Sequence, residues 1–210
     1  CAYADYFEVM TLTENMLAYV ADQVLGTRTV TYQGQALNFN PPWQRMTISE
    51  AVAEFAGIDL EQYKTAELLA KAMSVKGIKF DPNAVRGKLI DTLVGEFVEP
   101  KLIQPTFLMD YPRDISPLAK SKPGDPSTVE RFEVYMAGFE LCNAFTELND
   151  PLDQESRFLE MGRDYESDDE DKHPLDEDYL QAMRYGMPPN GGFGMGVDRL
   201  TMLLTDKPTI

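Results

Sequence analysis

The spacing of apolar residues changes period several times along the chain. Between residues 7 and 24, Phe7, Met10, Leu17, Val20 and Val24 fall on one helical stripe, and Gly26 marks its end. The period then shortens. "TVTY" (29–32) and "ALNF" (36–39) flank Gly34 and are closed by Pro41 and Pro42, which predicts a β-hairpin. Thr47 with Glu50 reads as a capping box in front of a short helix ending near Gly57. Two more helices are predicted. The second spans about 83–98, with Leu89, Ile90, Leu93 and Phe97 at helical spacing, and stops at Pro100. Residues 47–100 thus read as a helical insertion between β segments.

From Pro105 onward the pattern is strand-like, first "TFLMDYP" and then "RFEVYMAGFELCNAFTEL" over 131–148, rich in aromatic and β-branched residues. A helix is expected from about Pro151. After it comes the acidic run "DYESDDEDKHPLDED" (164–178), in which dense like charge predicts a solvated loop, and His173 within it is given no role. The segment "GGFGMGVDRL" (191–200) places four glycines in six positions and then turns into an apolar run with Val197, Leu200 and Leu204 at helical spacing. It is not a dinucleotide fingerprint, because its third glycine comes one residue too early and no acidic residue follows about 20 positions on. What it does offer is a backbone that another group can approach closely, with Arg199 in the first turn of the following helix.

Composition narrows the functional classes. The 210 residues are 43% hydrophobic, enough for one well-packed domain. A formal net charge of −16 argues against a nucleic-acid-binding surface on this chain, since phosphate backbones are bound by clustered Lys and Arg. Cys1 and Cys142 are the only cysteines and give no disulfide framework, and neither a signal peptide nor an apolar run of about 18 residues is present. A cytoplasmic protein with no membrane partner is the expectation.

The chemically loaded stretch is 131–150, where Glu133, Glu140, Glu147, Asn143, Asn149 and Asp150 sit among Phe132, Val134, Phe139, Leu141, Phe145 and Leu148. Buried carboxylates without partners are costly, so such residues face a solvated groove, a metal or a cationic ligand. In one uninterrupted strand, steps of seven alternate faces. Glu133 and Glu140 can then share a face only if a turn or bulge near Ala137 and Gly138 resets the register.

These residues carry a resemblance. "RFEVYMAGFELCNAFTELNDPLDQESRF" and "GMPPNGGFGMGVDRL" resemble the carboxy-terminal half of the class II lysyl-tRNA synthetases. "YADYFEVMTLTENML", "VTYQG", "PTFLMDYPRDISPLAK" and "LDEDYLQAMRYGMPP" match the same family in the same order, so the likeness covers nearly the whole chain. It implies an α+β fold, an antiparallel sheet flanked by helices, with the glycine segment as the family's third signature motif. By the resemblance, Glu133 and Glu140 hold Mg²⁺ on the ATP phosphates, Arg199 packs on adenine and reaches the terminal phosphate, and Gly192, Gly194 and Gly196 make room for the nucleotide. Asn143 takes the substrate carboxylate, Phe145 shapes the amino-acid pocket, and Glu147 pairs with the ammonium of L-lysine. The implied reaction is attack of the lysine carboxylate on the α-phosphate of ATP, giving lysyl-adenylate and pyrophosphate, then transfer of the lysyl group to tRNA(Lys) with release of AMP, in a homodimeric enzyme.

Phe139 and Ala144 stand where bacterial members usually carry a basic residue and a glycine. The family's anticodon-binding barrel, its dimer-forming first motif and its second motif, with an arginine for the α-phosphate, have no match here, and Cys1 falls just past that second motif. The expectation is therefore a partial catalytic domain over 1–210, inactive by itself and weak toward tRNA. Two other readings share these motifs: a lysine-activating paralogue that modifies a protein, and a non-catalytic binding or dimerisation remnant.

Overall fold

Local signals set the boundaries of the elements in a computed structural model that describes residues 1–164 and 176–210; most of the acidic run, His173 included, lies outside the described residues. Helix α1 (Tyr6–Leu25) begins at a reciprocal capping box between Asp5 and Glu8 and ends at Gly26 in the left-handed conformation. Its buried face is Tyr6, Val9, Met10, Thr13, Glu14, Leu17, Ala18 and Ala21. The sequence stripe is thus corrected: Phe7 and Val24 are exposed and Val20 is half-buried. A count of apolar residues passes over Thr13 and Glu14, which enter the core because each is hydrogen-bonded there, Thr13 to the Val9 carbonyl and Glu14 to the Trp43 amide.

Strands β1 (Thr29–Tyr32) and β2 (Gln35–Asn38) form the expected hairpin, turning through Gln33 and Gly34, both with positive φ. Strand β3 (Gln44–Thr47) leads into α2 (Ile48–Ala56), which carries the Thr47–Glu50 capping box and the Gly57 stop. Helix α3 (Ala66–Val75) follows. Helix α4 (Arg86–Leu93) starts later than its hydrophobic pattern, because Asp81, Asn83 and Ala84 are tied up in turns. It buries Leu89, Ile90 and Leu93 as expected and runs on into a π-helical turn over Val94–Val98.

The main sheet has the order β3, β4 (Thr106–Pro112), β6 (Asp125–Met136), β7 (Phe139–Thr146) and β8 (Gly191–Met195), with the two-residue β5 (Ser121–Lys122) on the margin of β6. All of its pairings are antiparallel except that of β3 with β4. Helices α2 to α4 therefore form the crossover between two parallel neighbours. They pack on one face of the sheet, where Val52, Leu69, Leu89 and Leu93 meet Leu108, Tyr111, Val129 and Tyr135. On the other face α1, the β1–β2 hairpin and α7 (Val197–Thr205) cover Phe107, Phe132, Val134 and Cys142. Helices α5 (Pro151–Asp164) and α6 (Glu177–Gly186) complete the chain between β7 and β8. The result is the expected α+β arrangement, and the glycine segment is indeed a strand running into a helix. In α7 the buried residues are Leu200 and Leu203, while Val197 is 64% exposed.

Candidate active site

The geometry of the site comes from one hairpin. Strands β6 and β7 turn through Ala137 and Gly138, with φ of 56° and 81°, and a bulge follows Val134. Asn143 pairs with Glu133, Phe145 with Arg131, and, beyond the bulge, Glu140 with Tyr135. Directly paired residues share a face of an antiparallel ladder. Arg131, Glu133, Tyr135, Glu140, Asn143 and Phe145 therefore stand on one face, and the parity conflict in the sequence is resolved by the turn and the bulge. On the next strand Gly192 pairs with Phe145 and Gly194 with Asn143, so the sheet continues on that side without side chains.

Glu133 is held from three sides. Arg131 Nη2 donates to its Oε1 at 2.6 Å, and the hydroxyls of Tyr111 and Tyr135 donate to Oε2 at 2.6 and 2.7 Å. Burial, with the Glu133 charge next, pushes both tyrosine pKa values up, so these phenols remain donors. Arg131 also donates through Nε to Asn143 Oδ1 at 3.1 Å and through Nη1 to the Ile115 carbonyl and Ser116 Oγ, while its guanidinium lies 4.5 Å from the Tyr111 ring centre. Sequence reasoning missed Arg131, Tyr111 and Tyr135. Two of them had a readable signal, since Arg131 and Tyr135 lie two residues either side of Glu133 and so on its face of a strand.

Glu140 differs from Glu133. Burial, then the charge of Glu133, raises its pKa above the usual carboxylate range despite Arg199 and Arg131. Arg199 Nη1 donates to the Glu140 carbonyl at 2.5 Å and lies 3.6 Å from its Oε2, with the arginine side chain 50% exposed. Glu140, Asn143, Gly194, Gly196 and Arg199 line an open cleft of about 480 Å³. Gly196 caps α7 without a side chain, and a Cβ there would press on the Arg199 side chain at 3.3 Å.

Glu147 extends the same face, just past the end of β7. Its backbone is fixed by a bridge to Ala119 and by a bond from its amide to the Asn190 carbonyl. Burial raises the pKa of its carboxylate against the opposing charge of the Cys1 amino group, and the carboxylate makes no hydrogen bond or ion pair with any described residue. Gly192 leaves the space it occupies, for a Cβ at 192 would fall 1.9 Å from Glu147 Oε1. Cys142 points to the opposite face; burial and then Glu140 push its thiol up to about 12, so it stays an unreactive core residue.

Oxygen donors suit a hard divalent cation. Glu140 presents a carboxylate with no hydrogen bond to a described residue, whereas Glu133 already accepts two hydrogen bonds on Oε2 and one on Oε1, which leaves a lone pair on Oε1. No group of three or more His, Cys, Asp or Glu side chains is gathered for a metal among the described residues. The set fits a cation shared with a ligand's phosphates, which is how Mg²⁺ is commonly held, and does not fit an all-protein cage.

A mostly antiparallel sheet, a carboxylate-bearing hairpin and a glycine strand feeding an arginine-bearing helix define a class II aminoacyl-tRNA synthetase core. The chain matches the tRNA synthetases class II (D, K and N) over residues 1–210 and belongs to that family. It is 52% identical over 209 residues to the lysine–tRNA ligase of Moorella thermoacetica and 51% identical to that of Chloroflexus aurantiacus, covering 100% of this chain and 43% of each relative. Against the lysine–tRNA ligase of Clostridium perfringens it is 46% identical over 212 residues. The chain thus spans less than half the length of the curated relatives it matches. No helix among the described residues is long and apolar enough to cross a membrane.

Proposed function

We propose that this chain supplies the lysine pocket and one side of the ATP site of a lysine–tRNA ligase, an enzyme that activates L-lysine with ATP and transfers it to tRNA(Lys). The observation that carries this reading is Glu147: a partly buried carboxylate with no hydrogen bond or ion pair to any described residue, beside Gly192 and on the face that bears Asn143 and Glu140. An anionic pocket end of this kind is stabilised by an incoming ammonium. An uncharged side chain in its place would leave the carboxylate desolvated and unpaired.

The remaining roles follow from position. Arg199 and the bare N-terminus of α7 face the cleft, where a nucleotide's phosphates meet both a guanidinium and the helix dipole. Gly194 and Gly196 let the nucleotide lie against the backbone. Asn143 donates to the substrate carboxylate, and Phe145 walls the amino-acid pocket. Glu140 and Glu133 would hold Mg²⁺, which when bound would neutralise phosphate charge. Catalysis by such a site rests on alignment and charge compensation, so it requires no protein nucleophile. The complete enzyme is expected to be a cytoplasmic homodimer.

Lysine-dependent ATP–pyrophosphate exchange by the full-length enzyme tests the assignment of Glu147. Glu147→Gln should lower kcat/KM for lysine by about two orders of magnitude or more, the loss expected when a charged pairing in a pocket is removed. Binding of Mg²⁺–ATP should be unchanged. Wild-type kinetics for lysine would exclude Glu147 as the selector.

A further inference from the structure

Asn143 can recognise a carboxylate only if its amide nitrogen, and not its oxygen, faces the substrate. The two ends of the amide have the same shape, so the hydrogen-bond network decides which way it points. On the Arg131 side the choice is fixed, because a guanidinium has only N–H groups and must face the oxygen. Its Nε–H donates to Asn143 Oδ1 at 3.1 Å. That leaves Nδ2, which makes no hydrogen bond to any described residue, as the free end of an amide whose residue lines the cleft.

Arg131 is itself too tightly held to serve as a substrate ligand. Its side chain is 15% exposed, its Nη1 is anchored on the Ile115 carbonyl and Ser116 Oγ at 3.1 and 2.9 Å, its Nη2 is on Glu133, and its plane is stacked on Tyr111. These contacts fix where Nε points. We infer that Arg131 is a positioning residue for amino-acid recognition: it locks the Asn143 amide as a hydrogen-bond donor toward the substrate carboxylate. This rests on the reading of Asn143 given above, and it adds a largely buried determinant that acts through Asn143 and not by contact with substrate. Lysine is a poor substitute for this arginine. One ammonium can neutralise Glu133, but it lacks the rigid fork that reaches Asn143, Glu133 and Ser116 together.

The test is calorimetric titration of L-lysine into the full-length enzyme without ATP or added metal, comparing wild type, Asn143→Ala, Arg131→Lys and the double variant. Asn143→Ala should weaken lysine binding about tenfold, the order of one hydrogen bond to a charged group. Arg131→Lys should weaken it by a similar factor, and the double variant should be no weaker than Asn143→Ala alone, because the two changes remove one interaction. A general structural defect would instead add to the loss at Asn143. If Arg131→Lys does not fold, Ser116→Ala, which frees one anchor of Arg131 and leaves the charges in place, should weaken lysine binding several-fold in wild type and not in Asn143→Ala. Wild-type affinity in Arg131→Lys alongside weakened Asn143→Ala, or additive losses in either cycle, would overturn the role of Arg131 and leave that of Asn143 standing. Wild-type affinity in Asn143→Ala would overturn both.

Discussion

The residues that define the site are those placed under electrostatic or steric tension. Burial and Glu133 raise the pKa of Glu140, so between its unfolded and folded values the native state binds more protons than the unfolded chain. Stability from this source is greatest at low pH and declines as pH rises through that window. Glu140→Gln removes the dependence: the variant should be more stable than wild type at pH 7 and should gain nothing below about pH 4, under the ordinary carboxylate pKa. Denaturant melts at the two pH values check this, and equal gains at both would contradict it. Gly192 is under steric constraint of a different kind. In Gly192→Ala the new methyl must displace the Glu147 carboxylate, the far end of a flexible side chain, so KM for lysine should rise about tenfold or more while stability changes little. Pyrophosphate exchange and denaturation measure the two effects on one preparation.

Between residues and fold stand the elements that aim the pocket, and the loop before β5 is held by a buried arginine. Arg157 on α5 is 2% exposed and donates to the carbonyls of Ser116 and Ala119, to Ser121 Oγ and to Asp153. Ala119 in turn bridges Glu147, and the Leu148 amide bonds to Leu118. Arg157→Met should therefore cost about 2–4 kcal/mol, from buried carbonyls left without donors, and should loosen lysine binding through Glu147. Chemical denaturation and lysine titration read these losses. Asp5→Ala, by contrast, removes only the cap of α1 and should cost about 1 kcal/mol in the same denaturation assay, with the pocket unchanged. Caps and stops of this type were the most legible part of the sequence: the Thr47–Glu50 box, the ends at Gly26 and Gly57, the β1–β2 hairpin and the strand-to-helix junction at Gly196 all stand where the pattern put them. The face of α1 was legible only in part: Met10 and Leu17 are buried as expected, but Thr13 and Glu14 are buried through hydrogen bonds that a hydropathy pattern does not register. The short β5 was not legible, for it is only two residues long and pairs with β6 across the turn at Gly124. The same holds within the site. The glutamates and the turn between them could be read from spacing, but the Arg131 hub requires Ile115, Ser116, Glu133 and Asn143 to be brought together from separate segments.

At the scale of the molecule, one sheet carries a core on each face, and the two cores meet along β4 and β6: Phe107, Phe132 and Val134 on one side, Leu108, Tyr111 and Tyr135 on the other. Neither half can melt without exposing strands of the other. The 210-residue chain should therefore unfold in a single calorimetric transition, and a separate early transition would show that the helices between β3 and β4 fold as an independent unit. The shared sheet is also what sets Glu140, Asn143 and Glu147 along one face, with Arg199 reaching Glu140 from the helix that follows β8. A crystal structure of the full-length enzyme with a non-hydrolysable lysyl-adenylate analogue tests that central claim most directly. The account predicts the lysyl ammonium within about 4 Å of the Glu147 carboxylate, the ion-pairing distance, with the adenosine against Arg199 and the Gly194–Gly196 backbone. An analogue bound away from this face, or one whose ammonium pairs elsewhere while Glu147 stays without a partner, would contradict it.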